Sequence, residues 1–239
     1  MRSNNIEVVV VKDALEGGKK AAELVANELE KGLKVIGLPT GGTPETMYAE
    51  LRNSDLDFSD VVAINLDEYI GLDPDHPQSY HYFMNEHLFN HKPFKETHIP
   101  DGLAEEEAET RRYDEVLIQN PIDLQILGIG VNGHIGFNEP GTPFNSLTSK
   151  FKLTEETIQS NKRFFDSEEE VPGYAYSMGL ASIMSADKIV LIAYGEGKAQ
   201  AIADTINGPI TEEVPASILQ RHENCIVILD EEAASLLDK

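Results

Sequence analysis

Four short stretches of this chain place proton-moving or anion-binding residue types directly after apolar runs. The richest is Gly130-Val131-Asn132-Gly133-His134-Ile135-Gly136-Phe137-Asn138-Glu139-Pro140-Gly141, which follows the run 122–129. His134 is a side chain whose ordinary pKa lies near neutrality, and Asn132, Asn138 and Glu139 stand close enough in sequence to orient it for acid–base work. A lone histidine is more often structural, but a glycine-rich loop lets the backbone present several side chains together. Gly128, Gly130 and Gly133 also satisfy the GxGxxG spacing of a dinucleotide site. Pro140, Gly141 and Pro143 interrupt the long helix which that fingerprint needs, and no second strand ending in an acid follows at about 20 residues. A dinucleotide is therefore excluded.

After the run 33–38 comes Pro39-Thr40-Gly41-Gly42-Thr43-Pro44. Gly41 and Gly42 allow close backbone approach, Thr43 is a good N-cap and Pro44 fits a first helical position, so a helix N-terminus with free N–H groups is expected there. Such an end binds phosphate, although the same residues also make a plain strand-to-helix turn. The GxxxxGK[ST] of a nucleotide P-loop is missing, which argues against ATP or GTP. After 61–66 comes Asp67-Glu68-Tyr69, whose paired carboxylates offer either a crevice base or a helix cap. After 187–194 comes Gly195-Glu196-Gly197-Lys198, where a lysine in a first helical turn opposes the helix dipole unless an anion sits beside it. A solvated lysine is the alternative.

The elements that must carry these residues follow a single pattern. Runs rich in β-branched residues (6–11, 33–38, 61–66, 122–129, 187–194 and 224–229) alternate with helical stretches at 18–31, 43–53, 79–91, 104–119, 175–185, 197–206 and 231–238. Continuously apolar strands are buried on both faces, so the expected fold is α/β, a single-domain, open, mostly parallel, Rossmann-like sheet over residues 1–239 with helices on both faces. In such sheets the carboxyl ends of the strands hold the ligand, and all four stretches lie there. The polar, acid-rich segment 153–172, broken only by Arg163-Phe164-Phe165, reads as a surface helix and loop able to act as a lid.

Composition narrows the partners. The 42 Asp and Glu against 19 Lys and Arg leave a net charge of -23, which repels nucleic acid and anionic membrane. No apolar run reaches the roughly 20 residues of a membrane span, and the N-terminal valines read as a strand and not a signal peptide, so a cytoplasmic location is expected. The single cysteine, Cys225, excludes an internal disulfide and sits in an apparent strand. His87 and His91 have helical metal-ligand spacing but lack a third partner, and read as surface residues; no metal is expected. Glu105-Glu106-Glu107 reads as the first turn of a solvated helix.

LPTGGTPETMY, INLDEYIGL, SYHYFMNEHLF, LGIGVNGHIGFNEPGTPFNS, NKRFF and YGEGKAQAI occur in one unbroken order across residues 33–230, and in this the chain resembles the glucosamine-6-phosphate deaminase (isomerase) family. The resemblance implies conversion of D-glucosamine 6-phosphate and water to D-fructose 6-phosphate and ammonia, with no redox or metal cofactor. It implies His134 for ring opening, oriented by Glu139 and the side chain at 132, and Asp67 as the base at C2. It further implies Gly41, Gly42, Thr43 and Lys198 around the phosphate, with Arg163 arriving from the lid.

Two departures from the family pattern matter. Many members carry Asp where this chain has Asn132, and an amide cannot stabilise an imidazolium by charge. Allosteric members use basic residues shortly after the FNEP loop and a tyrosine in a longer tail, whereas here Leu147, Ser149 and Phe151 stand at most of those positions and no tyrosine follows Tyr194. No activation by N-acetylglucosamine 6-phosphate is expected, and a monomer or small homo-oligomer is. The alternatives are a 6-phosphogluconolactonase-like hydrolase, disfavoured by FNEP and LDEY, and a non-catalytic sugar-phosphate sensor.

Overall fold

The computed structural model describes residues 2–3 and 5–237. Its centre is a sheet of β1 (Arg2–Ser3), β2 (Ile6–Val11), β3 (Val35–Leu38), β4 (Val62–Asn65), β6 (Glu96–His98), β7 (Leu124–Leu127), β10 (Lys188–Ala193) and β11 (Cys225–Asp230), in the order β1-β2-β11-β10-β7-β3-β4-β6. Every pairing except β1 with β2 is parallel. β3, β4 and β7 are buried at every position, as strands covered on both faces must be. One apolar cluster gathers Ile64, Leu127, Leu191, Val227 and Ile202, and a second, on the opposite face, gathers Ile36, Leu38, Ile126, Ile192, Tyr48 and Leu51.

The helices are α1 (Ala14–Glu30), α2 (Glu45–Asn53), α3 (Tyr80–Met84), α4 (Glu106–Gln119), α5 (Glu155–Asn161), α6 (Leu180–Met184) and α7 (Ala199–Asn207). α1 starts four residues earlier than its apolar spacing indicates, because Asp13 caps it through a 2.9 Å bond from the Glu16 N–H. Gly17 and Gly18 lie inside the helix for reasons of space. A Cβ on Gly17 would lie 2.1 Å from the Tyr194 hydroxyl oxygen, and one on Gly18 would lie 2.6 Å from Thr46. Glu105 caps α4, with the acidic residues in its first turn, where they suit the helix dipole.

A second sheet is not apparent from the sequence. β5 (Asp67–Tyr69), β9 (Tyr174–Ser177) and β8 (Ser149–Lys152) form an antiparallel sheet in the order β5-β9-β8. The expected helix 175–185 is therefore corrected: its first part is the strand β9, rich in tyrosine, and only Leu180–Met184 after Gly179 is helical. The helix expected over 79–91 is α3 continued by a π-helical turn, Asn85–Phe89. Residues 231–236 form turns in place of the expected helix 231–238, whose last residue lies outside the described residues. No helix among the described residues is long and apolar enough to cross a membrane.

Candidate active site

In the sheet order the chain moves outward from β3 to β4 and β6 on one side, and from β7 to β10 and β11 on the other. β3 and β7 are neighbours, so the loops leaving their carboxyl ends diverge and open a crevice between them. A cavity of about 220 Å³ occupies this crevice, with Gly41, Gly42, Thr43, Asp67, His134, Arg163 and Lys198 in its wall. All four strand-end stretches thus converge on one space.

Asp67 is 7% exposed at the start of β5. Burial, reinforced by the neighbouring Glu68 carboxylate, raises its carboxyl to about 8, where a carboxyl group can serve as a base near neutral pH. Glu68 points elsewhere. It accepts the backbone N–H groups of Tyr80 (2.9 Å) and His81 (3.1 Å) and contacts His81 Nδ1 at 2.8 Å. The adjacent acids therefore divide the two roles their sequence left open: one faces the cavity and the other caps α3.

His134 lies in the β7 loop with its ring against Gly130, where a Cβ would come within 2.2 Å of its Cε1. Asn132 Oδ1 accepts the His134 backbone N–H at 3.2 Å and stands 2.7 Å from Nδ1. Asn132 Nδ2 donates to Glu139 Oε2 at 2.8 Å. With the amide so placed, Nδ1 of a neutral imidazole must carry the proton, and Nε2 is left available to a ligand. Burial lowers the histidine from its ordinary value, opposed by Glu139 and assisted by Lys198. Glu139 is 3.6 Å from Nδ1, so it acts on the ring mainly through Asn132. Asn138 is not presented to the cavity as its sequence position indicated. It is fully buried, and its amide donates to the carbonyls of Ile135 and Met178 at 2.9 Å each.

The anion-binding end is built from three loops. Gly41 has φ +89°, a backbone conformation that strongly favours glycine. The N-terminus of α2 needs a small correction: Pro44 is the cap residue and provides no side-chain bond, and the Glu45 N–H returns to the Gly42 carbonyl. Thr43 lies in that turn, on the cavity wall. Lys198 sits in the short 3-10 turn Glu196–Lys198 ahead of α7, and its Nζ donates to the Ile129 carbonyl at 2.6 Å. Burial, then the Arg163 guanidinium, pushes its ammonium below its ordinary value. Arg163 is exposed, with its guanidinium 4.7 Å above the Phe164 ring. A lysine whose charge is disfavoured by burial and by a neighbouring guanidinium is a ready partner for an anion.

Several site residues carry no signal in the sequence. Tyr69 lies beneath the cavity with Tyr80 and Phe137 beside it, ring centroids 4.7 and 5.8 Å away. α5, inside the 153–172 segment, brings Thr157 and Asn161 to the cavity wall, and Asn161 donates to the Tyr69 hydroxyl at 2.9 Å. Elsewhere His87 stacks on Phe83, His91 bonds the Glu86 carbonyl and Cys225 is buried in β11.

Acid–base groups and a pair of cations on the walls of one crevice are the equipment of an enzyme that rearranges a phosphorylated small molecule. The chain belongs to the family described as glucosamine-6-phosphate isomerases/6-phosphogluconolactonase, whose sequence profile matches residues 12–228. It is 57% identical over 234 residues to the glucosamine-6-phosphate deaminase of Lactobacillus helveticus, covering 98% of each chain. It is equally identical to that of Streptococcus gordonii, covering 98% of this chain and 100% of the other. A solved monomeric glucosamine-6-phosphate deaminase superposes with TM-score 0.93 at 43% identity, over 96% of this chain and 99% of that one. The 6-phosphogluconolactonase of Trypanosoma brucei shares the fold, with TM-score 0.80 at 18% identity over 97% and 98% of the two chains.

Proposed function

We propose that the crevice performs the deaminating isomerisation of D-glucosamine 6-phosphate, with Asp67 as the C2 base and His134 as the ring-opening acid–base group. The observation that carries this reading is a buried carboxyl raised to about 8 in a cavity it shares with a relayed histidine and two cations. The phosphate lies against Gly41, Gly42, Thr43 and Lys198, with Arg163 contributed by the 153–172 segment as a lid. Remote binding energy at the phosphate then positions C2 against Asp67.

His134 Nε2 accepts the proton of the anomeric hydroxyl and returns it to the ring oxygen, breaking the C1–O5 bond and opening the pyranose. Asn132 and Glu139 hold the ring while its charge changes. The C2 ammonium, brought beside Asp67, favours the carboxylate over the carboxylic acid. Asp67 then removes the C2 proton of the open aldehyde while the C2 ammonium gives a proton to O1, giving an enolamine. Proton return at C1 gives the 2-imino compound, and water adds at C2 to expel ammonia and leave the ketose. Such a step belongs to amino-sugar catabolism, as in growth on N-acetylglucosamine, by a cytoplasmic monomer or small oligomer.

Ammonia release from glucosamine 6-phosphate is the test, run beside hydrolysis of 6-phosphogluconolactone and a binding measurement. Turnover of the amino sugar alone supports the reading. Lactone hydrolysis, or binding without turnover, overturns it.

A further inference from the structure

Glu139 is 6% exposed, and a buried carboxylate needs donors. One is Asn132, in its own loop. The other two come from the cavity-covering segment, where Thr157 donates to Oε1 at 2.6 Å and the Thr154 hydroxyl lies 3.3 Å from Oε2. Thr157 is buried, its hydroxyl is also 3.5 Å from His134 Nδ1, and its backbone N–H is held by the Thr154 hydroxyl. The two threonines begin the helix that runs into Lys162–Phe164, the turn carrying Arg163. One short stretch of chain therefore holds the cation that meets the anion and the hydroxyls that complete the histidine relay. The link from Glu139 to the ring runs through Asn132, so a rotation of the Glu139 carboxylate moves the amide and, with it, the imidazole.

We infer that Thr157, assisted by Thr154, is a positioning residue for ring opening, which couples engagement of the substrate's phosphate by Arg163 to the alignment of Glu139, Asn132 and His134. When the phosphate draws Arg163 inward, α5 seats against Glu139 and the relay is complete. When the site is empty, α5 can leave, and Glu139 keeps only the amide of Asn132. A phosphate-free sugar then meets a misaligned histidine, in addition to losing its phosphate contacts.

This rests on the proposed deaminase reading. Wild-type protein that releases no ammonia from glucosamine 6-phosphate sinks that reading, whereas the inference is decided among variants of an active wild type. Thr157→Val keeps the side-chain shape and removes the donor, Thr157→Ser keeps the donor, and Thr157→Ala serves in place of the valine if its added methyl disturbs folding, as judged by the melting temperature. Removing one hydrogen bond to a buried charge is expected to lower kcat by about 10–100-fold, with KM changed less than about threefold. Serine restores most of the rate. The loss is seen with the closed pyranose and largely disappears with an open-chain substrate analogue. Combined with Arg163→Ala, Thr157→Val adds little further loss in kcat, because α5 is already unseated. The inference is overturned if Thr157→Val keeps wild-type kcat, if serine is as poor as valine, if the open-chain analogue suffers equally, or if the two substitutions multiply.

Discussion

Replacing Asp67 by Asn separates what the residue does for the fold from what it does for the reaction. A carboxyl raised from 3.8 to about 8 binds its proton more tightly in the folded chain than in the unfolded one. Between pH ~4 and ~8 the unfolded chain releases that proton while the folded chain keeps it. Wild-type stability therefore falls as pH rises through this window, and the loss levels off once the folded carboxyl also ionises. At 1.36 kcal/mol for each pH unit the penalty is at most about 6 kcal/mol. Relaxation around a buried charge leaves a few kcal/mol of this, and we take about 3 kcal/mol as the working figure.

An amide at this position carries no such penalty, so Asp67→Asn is expected to melt at the wild-type temperature near pH 4. At pH 8 it should melt higher by roughly 6–12 °C, from about 2–4 °C per kcal/mol in a chain of this size. Paired thermal melts at four or five pH values between 4 and 8 read this difference. The same variant should lose about 10²–10⁴-fold in ammonia release, while glucosamine 6-phosphate still raises its melting temperature. A melting difference that stays flat with pH would show that Asp67 is not held as a costly buried acid. Near-normal turnover would remove it from the mechanism.

Other outcomes follow from the remaining walls of the cavity. His134→Gln is expected to slow the closed pyranose far more than an open-chain analogue, as competition between the two substrates can measure. Lys198→Ala raises KM for the phosphorylated substrate, Arg163→Ala raises KM and also lowers kcat, and glucosamine without phosphate is turned over very poorly. With ligand bound, Arg163→Ala also exposes the 153–172 segment to protease, whereas equal cleavage in wild type would argue against a lid. Rates remain hyperbolic in glucosamine 6-phosphate and unchanged by N-acetylglucosamine 6-phosphate, because Lys150, a cation near the expected effector positions, is already 3.8 Å from Glu106 and 4.6 Å above the Tyr174 ring. Sigmoidal curves made hyperbolic by that compound would refute this.

The sheet was legible because its strands are apolar on both faces, a pattern that only a covered parallel sheet needs. Residues placed just after such strands fall at its carboxyl edge, so Gly41, Asp67, His134 and Lys198 could be located before any contact was known. The polar edge strand β6, only three residues long, carries no alternation to detect. The second sheet was hidden for a similar reason, since β5 is three residues long and runs directly on from the buried residues 62–66. The bond between Thr157 and Glu139 spans 18 residues, and no spacing rule relates a threonine on a surface helix to a carboxylate in a glycine-rich loop. Glu68 shows the same limit, because its capping of α3 depends on where residues 80 and 81 return.

Asp67, His134 and Lys198, all in the wall of the crevice, are each displaced toward the uncharged form: Asp67 upward, His134 and Lys198 downward. Burial is the first cause in each case, so the crevice by itself holds charge unfavourably at both ends. A ligand with a cation at one end and a dianion at the other reverses this. In the proposed reaction an ammonium beside Asp67 would favour the carboxylate that proton abstraction requires, and a phosphate between Lys198 and Arg163 would offset the effect of the guanidinium on the lysine. The phosphorylated lactone has the dianion but no amine, and so would not draw Asp67 toward its carboxylate. The charge pattern of the cavity therefore suits an amino sugar phosphate better than the lactone, in keeping with the proposed reaction.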